Sequence, residues 1–132
     1  MTFKNYEIYN IAEGLLRNFS AADATQKLPI KLSFAIKKNT TKFQSAAEQI
    51  EKSRMELVQK YGELNEDGQT YRITEGNEEA ANKEFTELMN VEDNIDIMQV
   101  DINTLNDSVE LTNGQMEAIM FMLKDGDKVE EA

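Results

Sequence analysis

Apolar residues recur every seven positions at Ile36, Phe43, Ile50 and Leu57, with Leu32 one turn ahead, and no breaker interrupts the run from Pro29 to Tyr61. That pattern predicts one long helix with an apolar stripe. Pro29 suits the first helical turn, because its φ is fixed and its missing N–H would have no partner there. Gly62 stands where a left-handed C-cap residue is wanted. At ~1.5 Å per residue the helix is about 48 Å long, so the remaining elements must pack along it. Thr40, Ala47, Arg54 and Tyr61 form a second row beside the stripe. One flank is bulky and the other mostly small, which admits a close neighbour but not the doubly filled seam of a coiled coil.

Shorter patterns surround it. Tyr6, Ile8, Tyr9, Ile11, Leu15, Leu16 and Phe19 predict a helix over 5–19, with Thr2 or Asn5 as its cap and Gly14 as a weak point. Residues 20–28 connect it to the long helix. Glu63–Asn65 and Thr70–Thr74, joined through Asp67-Gly68, read as a β-hairpin. A helix over 78–90 carries Ala81, Phe85, Leu88 and Met89 on one face. Residues 94–102 return to strand, with the alternation slipping near Met98 as a bulge would produce. This strand is expected to complete a three-stranded antiparallel sheet with the hairpin, since an isolated hairpin is marginal in water. Leu105 to Glu110 is a loose turn. Thr112 and Gln115 form a capping-box pair opening the last helix, with Met116, Ile119, Met120 and Leu123 as its buried stripe. Phe121 and Met122 are then left as candidates for exposure and self-association. The fold class is α+β and predominantly helical, with one domain over 1–123 and a flexible acidic tail over 124–132.

Composition narrows the chemistry. The 132 residues include no cysteine and no histidine, which removes disulfides, thiol nucleophiles, thiolate metal sites and the commonest general base. No run approaches the ~20 apolar residues of a membrane span, and the first residues lack a signal pattern. The formal charge of −11 is unevenly spread: residues 1–60 hold ten Lys and Arg against six Asp and Glu, and residues 61–132 hold four against nineteen. Lys27, Lys31, Lys37, Lys38 and Lys42 fall in a window without an acid between Ala24 and Ala47. Such asymmetry points to a partner for one half, or to mutual neutralisation of the two.

Specific sites are poorly supported by this composition. Asn65, Asp67 and Gln69 alternate as in a calcium loop, but the twelfth position is Gly76 instead of a bidentate Glu. The tail acids Asp125, Asp127, Glu130 and Glu131 have no framework to hold an ion. Asp93, Asp96 and Asp101 could supply carboxylate pairs, yet nothing indicates the pocket needed to separate their pKa values. No metal, no cofactor and no catalytic residue is therefore assigned. The lysine cluster could neutralise phosphates, but it is read as lacking interleaved aromatics for base stacking, and the net charge opposes nucleic acid. The acidic half could instead imitate a phosphate backbone.

KLPIKLSFAIKKN (Lys27–Asn39), the Tyr61–Ile73 hairpin and ELTNGQMEAIMFML (Glu110–Leu123) resemble a set of small bacteriophage-encoded proteins of unknown function. The resemblance implies a phage origin and a place in the cytoplasm of the infected bacterial host, and it carries over no catalytic residue. The expectation is a non-enzymatic protein-binding module. It would occupy a host defence or nucleic-acid enzyme through Glu63, Glu66, Asp67, Asp93, Asp96 and Asp101. The alternatives are a virion assembly protein associating through Phe121 and Met122, and nucleic-acid binding by the five lysines. No membrane association is expected.

Overall fold

The computed structural model describes residues 1–21, 23–106 and 108–125; of the tail expected over 124–132, Lys124 belongs to a strand and residues 126–132 lie outside the described residues. Helix α1 spans Asn5–Phe19 and helix α2 spans Ile30–Tyr61. Pro29 precedes the first helical residue instead of occupying it. The seven-residue stripe faces inward as the pattern requires: Leu32, Ile36, Phe43 and Ile50 are buried, with Asn39 among them. Ala12, Ile8 and Leu15 of α1 pack on this stripe.

Gly62 does not adopt the left-handed cap. Its φ of −124° is extended, and it opens strand β2 (Gly62–Leu64), paired antiparallel with β3 (Tyr71–Ile73). The glycine is required by a close approach instead. A Cβ there would lie 2.5 Å from the Val58 carbonyl oxygen and 2.6 Å from that of Arg72. The hairpin backbone is thus folded directly onto the last turn of α2. Gly68, at φ +71°, makes the tight turn between the strands.

Helix α3 covers Glu78–Asn90 and packs on the C-terminal half of α2. Strand β4 (Glu92–Asn94) then pairs with β1 (Thr2–Lys4), not with the hairpin. Strand β5 (Val100–Asp101) pairs in parallel with β6 (Leu123–Lys124). The strands therefore form three two-stranded units among the described residues, in place of one three-stranded antiparallel sheet. The alternation slip at Met98 explains the difference. Residues 95–99 leave the extended pattern there, because the Asn39 side chain takes over the role of a neighbouring strand. Its Nδ2 donates to the Met98 carbonyl at 2.9 Å and its Oδ1 accepts from the Met98 N–H at 2.8 Å.

Helix α4 covers only Asn113–Ile119, opened by the reciprocal Thr112–Gln115 hydrogen bonds at 2.9 and 3.1 Å. Met120–Met122 then tightens into a 3₁₀ turn. Three residues per turn, in place of 3.6, advance the side chains out of the helical phase. Met120, expected inside, is 61% exposed, whereas Met122 is fully buried. Phe121 joins Phe3 and Phe43 in a cluster of edge-to-face rings with centroids 5.1–6.5 Å apart. Of the candidates for a self-association surface, Met122 is therefore buried in the core and Phe121 is half-buried against it. No helix among the described residues is long and apolar enough to cross a membrane.

Candidate interaction surfaces

The six acids expected to act together are divided between two regions. Glu63, Glu66 and Asp67 belong to the hairpin at the far end of α2. Asp93 and Asp96 lie beside Lys42, twenty residues or roughly 30 Å back along the helix axis. Lys42 Nζ donates to the Asp96 carbonyl and lies 3.9 Å from its carboxylate. The Asp101 carboxylate accepts from the Asn103 N–H at 2.8 Å, capping its own short turn. Asp93, Asp96 and Asp101 thus do not share a surface with the hairpin acids.

At the hairpin, a more coherent group emerges. Asp67 is turned inward on its loop. The N–H groups of Gln69 and Thr70 donate to its carboxylate and hold its pKa below the ordinary range. Glu63 pairs with Arg72 at 3.3 Å. Glu66, Glu75, Glu78 and Glu79 are exposed around them, and none has a cationic partner among the described residues. Thr74 N–H donates to the Tyr61 carbonyl at 2.9 Å and Asn77 Nδ2 donates to it at 3.4 Å, tying the hairpin and the start of α3 to the end of α2. The end of α2, the hairpin and the first turn of α3 therefore form one acidic cap. Leu64, 50% exposed, sits within it. Glu75, Glu78 and Glu79 were not among the sequence-level candidates; their signal was the Glu75-Gly76-Asn77-Glu78-Glu79 run at a helix start, where acids are also favoured by the helix dipole.

The opposite end of α2 carries the lysines. Lys27, Lys31, Lys37 and Lys38 are exposed, and Lys42 is half-buried against Asp96. Ile30, Phe34, Lys37 and Lys38 fall within roughly 120° of the helix circumference at ~100° per residue, with Lys31 at the border. Ile30 is 80% and Phe34 54% exposed, and the Lys38 ammonium lies 6.0 Å over the Phe34 ring. An aromatic is thus interleaved with the lysines, contrary to the reading of the cluster as lysines alone. About 40 Å of helix separates this face from the acidic cap. That is several Debye lengths at physiological salt, so the two ends do not neutralise each other within one chain.

A third feature is a groove of about 690 Å³ between α1 and α2, lined by Tyr9, Ala12, Leu16 and Ala47 and rimmed by Glu13, Glu48 and Glu51. The Tyr9 hydroxyl donates to Glu51 at 2.7 Å, and Arg54 Nε donates to the same carboxylate at 2.9 Å. Arg54, then Tyr9, hold Glu51 down to about 2, while burial and then Glu51 push the Tyr9 hydroxyl up to about 12. A carboxylate so depressed is a weak base, and a phenol so raised is a weak acid. The trio is suited to joining α1 to α2, not to moving protons at neutral pH. Glu51 stability is fully present above the unfolded value near 4.5 and is lost as pH falls toward 2. With Glu51 and Arg54 nearly half exposed, that contribution is under about 1 kcal/mol. Glu51→Gln is expected to flatten the acid limb of a melting-temperature profile between those values; an unchanged limb would show the trio to be inert.

Among the described residues no three carboxylates converge as a metal cage would require. No protein-family model, curated protein or solved structure matches this chain.

Proposed function

We propose that this chain is a non-enzymatic protein-binding module of phage origin. It docks its acidic cap on the basic surface of a host defence or nucleic-acid enzyme in the cytoplasm of the infected bacterium. The observation that supports docking is the cap itself: Glu66, Glu75, Glu78 and Glu79 stand exposed around a hairpin folded directly onto α2, and none of the four has a cationic partner among the described residues. Uncompensated carboxylates gathered at one end of α2 make the local potential negative and steer association with a cationic groove. The chain lacks imidazole and thiol, and the Tyr9–Glu51–Arg54 trio is poised away from proton transfer. The phage origin and host location rest on the sequence resemblance.

The test is reversal of the cap. A variant with Glu66→Lys, Glu75→Lys and Glu79→Lys changes three solvent-facing side chains and should melt like the wild type. Partners captured from host lysate by the wild type, identified by mass spectrometry and then purified, should bind the variant with an association rate at least about tenfold lower at physiological salt. Equal capture and equal rates for both proteins would remove the proposal.

A further inference from the structure

We infer that copies of this chain associate head to tail, the Ile30/Phe34/lysine face of one docking on the acidic cap of the next. The inference rests on the reading of the cap as a docking surface, for which a second copy competes with the host enzyme. Three observations carry it.

The first is that both ends are built alike with opposite charge. The head presents Ile30 and Phe34 flanked by Lys31, Lys37 and Lys38; Lys31 and Lys37 have no anionic partner among the described residues. The tail presents Glu66, Glu75 and Glu79, with Leu64 50% exposed on the same hairpin as Glu66. Exposed apolar side chains beside charge at each end supply the apolar and polar parts that a protein interface combines. The second is the helix dipole. The first turn of α2 holds no acid and instead carries Lys31, placing positive charge at the positive end of the dipole. That arrangement is unfavourable in the isolated chain and is relieved when carboxylates arrive. The third is geometry: the ends sit roughly 40 Å apart on one helix and cannot meet within a copy. A contact between unlike ends is heterologous, so it propagates as a ring or an open filament.

A single-stranded nucleic acid is the competing occupant of the head. It supplies anions but no aliphatic group for Ile30, and one aromatic does not make a stacking platform for successive bases. The net charge of −11 opposes a polyanion and a second copy alike; what distinguishes the next copy's tail is that it brings an exposed leucine, Leu64, with its carboxylates.

The experiment is sedimentation velocity of the full chain over a concentration series. It includes a head reversal (Lys31→Glu with Lys38→Glu), a tail reversal (Glu66→Lys with Glu79→Lys) and the four-fold variant that exchanges both charges. All substitutions are solvent-facing, and circular dichroism checks folding. The wild type is expected to rise to at least about twice the monomer mass. Each single reversal should remain monomeric alone, whereas their mixture and the exchanged variant should both associate again beyond a dimer, because each restores opposite charges at every head-to-tail contact. A wild type that stays monomeric throughout overturns the inference. It leaves the cap's docking role standing if the tail reversal still loses its captured partner. Binding of a fluorescent single-stranded oligonucleotide that the head reversal abolishes, by a protein that does not self-associate, would assign the head to nucleic acid and likewise overturn it.

Discussion

Phe43→Ala is expected to lower stability by about 3–5 kcal/mol, the range for truncating a large buried aromatic. Phe43 is fully buried at the middle of α2, and its ring meets both Phe3 and Phe121 edge to face, at 5.2 and 5.1 Å. Those three rings come from the first strand, the long helix and the 3₁₀ turn after α4. Removing the central one leaves a cavity where three distant parts of the chain converge, and each neighbour is held by its own element from collapsing into it. A domain of this size is stable by about 5–15 kcal/mol in total, so the loss is a large share. Urea titration followed by far-ultraviolet circular dichroism measures it. Phe43→Leu should recover part of the loss by filling some of the volume. A cost below about 1 kcal/mol for the alanine variant would show that the ring cluster is not the centre of the core.

Asn39→Leu is expected to cost about 2–4 kcal/mol, although it exchanges a polar residue for an apolar one of similar size in a buried stripe. The Asn39 amide satisfies both backbone groups of Met98 and also lies 3.5 Å from the Met122 sulfur. Leucine would leave the Met98 N–H and C=O without partners, and the segment between β4 and β5 without its tie to α2. The signature is local as well as global: the Met98 amide should exchange with deuterium much faster in the variant, with amides in the middle of α2 following only the overall stability. If leucine proves neutral or stabilising, Asn39 is a tolerated polar residue and does not organise the 95–99 segment.

Much of this architecture is legible in the residues. α1, α2, α3, the hairpin and the Thr112–Gln115 cap all come from local information: apolar spacing, an Asp-Gly turn and capping side chains. Strand β1 is three residues long and its partner is about ninety residues away, so nothing near Thr2–Lys4 signals it. The same is true of Asn39, whose buried amide breaks a strand fifty-nine residues away. The slip at Met98 was visible in the alternation, but its cause was not. At α4, a helical projection fails because the last turn tightens to 3₁₀, which exchanges the positions of Met120 and Met122.

The candidate surfaces divide in the same way. The separation of positive and negative halves is a property of composition and can be read directly. Which acids cluster depends on tertiary packing, which sets Asp93, Asp96 and Asp101 apart from the hairpin and joins Glu75, Glu78 and Glu79 to it. Phe34 carried a usable signal: with Ile30 it projects opposite the Leu32, Ile36, Phe43 and Ile50 stripe, where an apolar pair has no core to enter.

Docking through the acidic cap is tested most directly by hydrogen–deuterium exchange of the full chain, free and saturated with a partner purified after capture. Added protection should concentrate in residues 62–80, with the groove between α1 and α2 unchanged. Protection centred on that groove, or on β4 and the following residues, with the hairpin exchanging as in the free protein, would contradict it.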